Sequence, residues 1–329
     1  MTGMLKASSN AAAANLRMVC IWIIFAKTMK RLSDNPAYLY LFFFPFYVIF
    51  SIMLKTLLHD YLESACSTVA ASFEQLQHPT RRQKAIHQLR VGSKKIRALL
   101  ALAQQIPGYH LKKGKYLTTL KILQQIGGIS RDTQLQEQSL TRHEKTVSWR
   151  FSVAHLLLKT KLTTVDTTLE SLSQQLSIKK LTTLPKAFKA AIADIEDETA
   201  IAVMTEHVAK QYRHIFLPDS KAPDTVWHDL RKNTKRLYYQ LSIITQLPHH
   251  THRHRQQLQH TKKTGNLLGQ WHDASELLLF IKNTATKVKK EKTGLSDNVS
   301  KLIHELQRET TEKLADSAKR IHMLTNSAD

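Results

Sequence analysis

The sequence predicts an all-α protein. Beyond Met53 the apolar residues recur with a period near 3.6, and no stretch shows the alternation of a half-buried strand. Six prolines, at 79, 107, 185, 218, 223 and 248, fall where one periodic run ends and another begins. A hydrophobic content of 42%, with 9 glycines and 8 prolines in 329 residues, suits a globular chain with a sizeable core.

In order, helices are expected near 54–77, 80–106, 112–127, 132–145, 147–177, 185–216, 224–246, 252–268, 273–290 and 297–324. The first has the amphipathic spacing of "MLKTLLHDYLESACSTVAASF". Pro79 opens the second and Pro107 closes it. Gly127–Gly128 and the glycine at 269 are read as breaks, Pro185 and Pro223 as helix starts, and "KVKKEKTGLSDN" (287–298) as a charged turn.

Residues 1–52 do not match this body. Tyr38–Leu54, "YLYLFFFPFYVIFSIML", is uncharged over seventeen residues, and residues 38 to 50 hold five of the 11 phenylalanines. That length is marginal for a membrane span, and Pro45 lies inside it. The expectation is that Met53 is the start of the functional chain and 1–52 an upstream translation artefact. A membrane anchor, flanked by Lys27, Lys30 and Arg31, is the alternative, and a membrane is a partner only in that case. Cys20 and Cys66 form no metal-ligand or disulfide framework, which makes a reducing cytoplasm the expected compartment.

Charge narrows the function. Lys and Arg number 48 against 26 Asp and Glu, giving +22 before any of 17 histidines protonates. A polyanion is the expected partner: nucleic acid, an anionic membrane surface or a polyphosphate-like polymer.

"IHQLRVGSKKIRALLAL" at 86 is answered by "WHDLRKNTKRLYYQLSI" at 227. At a constant offset of 141, His87 pairs with His228, Arg90 with Arg231, Lys94 with Lys235 and Lys95 with Arg236. The register continues through Pro107 and Pro248, Lys121 and Lys262, Gly128 and Gly269, Asp132 and Asp273. Two related halves, 53–180 and 181–329, are therefore expected, divided near 178–184. At about 100° per residue, His87, Arg90, Lys94 and Arg97 share an arc of roughly 80°, with Leu89, Ile96 and Leu100 opposite. The second copy places His228, Arg231 and Lys235 together, with Tyr238 in the place of Arg97 and Leu230, Leu237 and Leu241 opposite. Like charges at i,i+4 cost a few tenths of a kcal/mol per pair, and no carboxylate lies in 80 to 109. One such stripe reads equally well as a solvated face; two matched stripes point to an anion-binding rail, in which arginine offers a planar fork and lysine a point charge.

H-x-x-R-V-x-x-K-K-x-R with a G-x-x-R-D turn, then H-x-x-R-K-x-x-K-R with G-x-x-x-D, resembles the CHAD family, the conserved histidine α-helical domain. The resemblance covers Met53 to the C-terminus. It implies two four-helix-bundle-like halves related by a pseudo-twofold, with basic residues of both lining a groove for inorganic polyphosphate. Carried onto this chain, His87, Arg90, Lys94, Lys95 and Arg97 form one wall and His228, Arg231, Lys232, Lys235 and Arg236 the other. Lys121 and Lys262 join them, and Arg131 fits the arginine-aspartate turn. His272 stands where the second half would carry its arginine, and Asp132 and Asp273 are read as helix N-caps or as partners orienting an arginine. No E-x-E-x-K motif of the companion CYTH domain occurs, so the resemblance is to the stand-alone form.

The remaining motifs are weaker. "PHHTHRHR" (248–255) reads as a basic loop rather than a metal site, and "DIEDE" (194–198) as a solvated acidic run on a helix. Gly127–Gly128 lacks the lysine-serine pair of a P-loop. No catalytic residue, cofactor or metal ligand is expected. The expected function is non-catalytic polyphosphate binding in the cytoplasm, with polyphosphate granules or phosphate-metabolising enzymes as further partners. A nucleic-acid binder, or an accessory subunit of a phosphate-metabolising enzyme, is the alternative, the former disfavoured because the stripes lack interleaved aromatics.

Overall fold

The structure is a computed structural model. It describes the backbone of residues 36–219, 222–247, 250–290 and 296–325, and side chains from residue 54 to residue 323 within those ranges. The chain divides into two units, residues 1–53 and 54–329, and the helical bundle belongs to the second. The expectations for 1–52, artefact or anchor, fall on residues whose side chains lie outside the described set. Among the described residues no helix is long and apolar enough to cross a membrane.

The described chain is all-α: α1 (Pro36–Glu74), α2 (Pro79–Ala103), α3 (Gly114–Val147), α4 (Ser152–Gln175), α5 (Lys179–Thr182), α6 (Leu184–Ala191), α7 (Asp197–Arg213), α8 (Asp224–Ile244), α9 (His252–Lys290) and α10 (Asp297–Thr325). Prolines sit at or beside the starts of α2, α6 and α8, where a missing N–H costs nothing.

Three expectations are corrected. The runs 112–127 and 132–145 are one helix, α3, and 252–268 and 273–290 are one helix, α9. The glycines at 127, 128 and 269 are not breaks, so Asp132 and Asp273 lie mid-helix and cannot be N-caps, and the G-x-x-R-D turn is helical. Their role is close approach. A Cβ on Gly127 would meet Ile86 Cγ2 at 3.2 Å, and one on Gly128 would meet Arg90 Nη1 at 2.6 Å. The predicted helix 185–216 is instead split between α6 and α7, and the acidic run straddles the break. Asp197 and Glu198 open α7, where negative charge meets the positive end of the helix dipole. α3 stops where Ser148 turns left-handed at φ 50°, its terminal carbonyl at Glu144 accepting from Trp149 N.

Two apolar cores hold the bundle, each drawing on residues from either side of 178–184. The larger gathers Leu62 and Val69 of α1, Leu89 and Ile96 of α2, Leu120 of α3, Phe188 of α6, Met204 of α7, Leu237 and Leu241 of α8 and Trp271 of α9. The smaller packs Leu140 of α3, Leu158 of α4, Leu277 and Ile281 of α9 and Leu302 and Leu306 of α10. α3 and α9 therefore run from one core to the other. The faces expected to be buried on α2 and α8 are buried: Leu89, Ile96 and Leu100, then Leu230, Leu237 and Leu241.

α1 and α2 cross closely at Gly92, where a Cβ would lie 2.6 Å from Val69 Cγ2 and 3.3 Å from the Ala65 carbonyl. Backbone on one side leaves little room to yield. Gly92→Ala is expected to destabilise the fold by about 1–3 kcal/mol by overpacking, despite alanine's better helix propensity. Urea unfolding measures this, and unchanged stability would show that the two helices can separate freely.

Candidate anion-binding site

α2 and α8 pack against each other, so the two basic stripes meet. Arg90 and Lys94 of α2 and Arg231 and Lys235 of α8 are all half-buried, and each lysine lies in the field of both arginines. Two bare helix surfaces make the fit possible. Arg90 lies across Gly128, and Lys235 Nζ would be 3.6 Å from a Cβ on Gly269. Glycine at these positions lets the long cationic side chains lie flat over α3 and α9.

Burial and mutual repulsion shape the charges. Lys94 is driven from 10.5 down to about 8 by burial, then by Lys235, Arg90 and Arg231, with Asp132 opposing. Lys235 is lowered by burial and Arg231. Asp273 is raised because burial outweighs the pull of Arg231. Two carboxylates serve this group directly: Asp132 Oδ1 stands 3.9 Å from Arg90 Nη2, and Asp273 faces Arg231. Both attract the arginines electrostatically, without a described hydrogen bond to either. Arg231 Nε is shut off from water with no hydrogen-bond partner among the described residues, a donor left at a cost of about 1–3 kcal/mol.

The remaining predicted residues divide. Arg131 is close enough to bias Asp273, and His228 sits edge-on to His272 with ring centroids 4.6 Å apart. Lys232 biases His272 while its Nζ donates to Asp229 at 3.0 Å on the surface. His272 is pushed from 6.5 to about 3 by burial, then by Arg231, His228, Lys235 and Lys232, and is therefore neutral at pH 7. Others point elsewhere. Lys95 Nζ lies over the Tyr61 ring at 5.9 Å, and Arg236 donates to Asn233 at 3.1 Å and faces His207 of α7. Arg97 donates to Gln124 at 2.9 Å on the exposed side. His87, Lys121 and Lys262 are exposed and make no described contact with the central group. Glu276 and Tyr239, not foreseen, border it: Glu276 acts on Arg231, and Arg90 on Tyr239. A helical wheel drawn through 269, 273 and 276 would have found Glu276.

The family model for the CHAD domain matches residues 61–282. The chain belongs to the CHAD family. Two solved structures share its fold. The CHAD domain from the plant Ricinus communis superposes with a TM-score of 0.57 at 16% identity, covering 82% of this chain and 91% of that one. PptA from Streptomyces chartreusis gives 0.51 at 14% identity, over 83% of this chain and 98% of its own. No curated protein matches the sequence. In this CHAD chain the central group is Arg90, Lys94, Arg231 and Lys235, with Arg131, His228, Lys232 and His272 at its margin.

A polyanion that neutralises the neighbours of Lys94 returns that lysine towards its ordinary value, so binding takes up a proton once the free lysine has lost it. Affinity for a polyanion is therefore expected to fall as pH rises from about 8 towards 10.5. The ligand-free protein moves the other way, gaining stability over the same interval because the unfolded chain holds that proton longer. Lys94→Met should flatten both profiles, read by calorimetry and by thermal melts across pH; profiles that keep their slope would remove Lys94 from the account.

Proposed function

We propose that this CHAD chain binds inorganic polyphosphate without catalysing its turnover, in the cytoplasm and at polyphosphate granules. The observation that supports it is the convergence of Arg90, Lys94, Arg231 and Lys235 on one half-buried patch, against three nearby carboxylates, Asp132, Asp273 and Glu276. Repeating phosphates supply closely spaced anionic oxygens to such a patch, and arginine forks grip them two at a time. Membership in the CHAD family supports polyphosphate over another polyanion as the ligand. The aromatic side chains nearby favour stacking little: Trp271 is buried, and Tyr238 and Tyr239 are half-buried edge to face against each other at 5.2 Å.

The test is a titration with polyphosphates of defined length at several salt concentrations. Affinity should rise with length and then level off. Neutralising four central cations should give a log–log salt slope of about −3, at about −0.7 per phosphate of a single-stranded polyanion. Competition at fixed salt distinguishes this reading from the nucleic-acid one: RNA of equal charge should displace polyphosphate poorly. Equal displacement would overturn the assignment.

A further inference from the structure

Away from the central patch, the end of α7, the start of α9 and the end of α10 bring a second set of cations together. Tyr212, 9% exposed on the last turn of α7, lies in the field of Arg320 of α10 and Arg253 of α9. His260 stands two turns after Arg253 on the same face of α9. It is half-buried, and burial, then Arg320 and Lys263, hold it below the usual imidazole value. All the charged groups acting on Tyr212 and His260 are basic, whereas Asp132, Asp273 and Glu276 attend the central patch.

Arg320 is the residue that calls for a partner. It is half-buried, and its Nε is closed off from water with no hydrogen-bond partner among the described residues. Asp316, one turn earlier on α10, forms no ion pair with it. A guanidinium held partly out of water beside other bases is unfavourable by itself, and an anion between them offsets both the burial and the repulsion.

We propose that Arg320, Arg253 and His260, set around Tyr212, form a second anion site that takes a single phosphate group. The arginines supply charge-assisted N–H donors, the imidazole supplies one more, and Lys263 adds charge from the next turn of α9. Free inorganic phosphate and the end of a polyphosphate chain both present this chemistry. The site is separate from the central patch, because His260 precedes Gly269 by about 13 Å along α9. Arg320 also lies beyond the residues that the family model matches. One consequence rests on the polyphosphate reading: a chain with two sites can hold two polymers at once and tie them together.

The full chain is titrated by calorimetry at low ionic strength with sodium tripolyphosphate and, separately, with inorganic phosphate. The unmodified protein should take up two equivalents of tripolyphosphate, and Arg320→Gln one. Arg90→Ala with Arg231→Ala should keep the other, and adding Arg320→Gln to that variant should weaken it about tenfold or more. Arg308→Gln removes the same charge from α10 where Glu305 and Glu312 already hold it, and should leave that equivalent unchanged. Failure of the central reading looks different: the unmodified protein and the Arg90/Arg231 variant would both bind one equivalent, which Arg320→Gln still weakens. Uptake of inorganic phosphate marks free phosphate as the ligand, and uptake of tripolyphosphate alone marks a chain end; either supports the site. Should Arg320→Gln fail to fold, the His260 ring signal of the Arg90/Arg231 variant gives the answer, since tripolyphosphate should shift it. No equivalent left in that variant, undiminished affinity after Arg320→Gln, equal loss from Arg308→Gln, or an unmoved His260 signal would overturn the proposal.

Discussion

Arg90→Ala combined with Arg231→Ala is expected to abolish polyphosphate binding at physiological salt while leaving the helices intact. Each arginine offers charge-assisted contacts worth about 1.5–3 kcal/mol. Losing both removes about 3–6 kcal/mol, or roughly 10²- to 10⁴-fold in affinity. Little stability is at stake. The Arg90–Asp132 pair is long at 3.9 Å, and taking two cations from beside Lys94 and Lys235 relieves repulsion. The comparison that gives the result meaning is Arg97→Ala, because Arg97 carries the same charge but is exposed and tied to Gln124. Its loss should cost less than tenfold. Equal effects from the two variants would mean that binding follows overall charge and not the patch.

Trp271→Ala is the substitution with the largest expected effect on stability, about 3–5 kcal/mol in urea unfolding. The indole is 1% exposed. It packs under His228 and beside Trp227, whose ring centroid lies 6.3 Å away. The cavity opens where α8 meets α9, so the same change should also weaken anion binding by releasing Arg231 and Lys235. A loss below 1 kcal/mol would show that the large core does not depend on this contact.

Particular residues show how much of the site is legible in the sequence. The meeting of Arg90, Lys94, Arg231 and Lys235 is legible because both helices are strongly amphipathic, and burying the leucine face leaves the cations one direction. The helical arc also excludes Lys95, about 100° from Lys94, which the family resemblance places on the wall; the structure turns it toward Tyr61. The glycines mislead. A glycine that ends a helix and one that admits a crossing side chain look alike until the partner helix is placed, as Arg90 is over Gly128. The break at 192–196 leaves only a weak mark in the sequence, because "AAIADIEDE" contains neither proline nor glycine and its acidic residues also suit a solvated helix face. Glu276 and His272 belong to one helix, but their meeting with His228 depends on how α8 lies on α9.

The unbroken course of α3 and α9 has a consequence for how such a chain can change. Gly128 stands as far before Leu140 as Gly269 does before Ile281, so both helices join the site to the smaller core by shafts of equal length. One residue added to or removed from either shaft would turn everything beyond it by about 100°. Leu140 or Ile281 would then face solvent, or the glycine would swing out from under its cation. Substitution along these shafts is cheap on the outer faces. Insertion and deletion are not, and changes in length are expected to be tolerated only in the connections between helices.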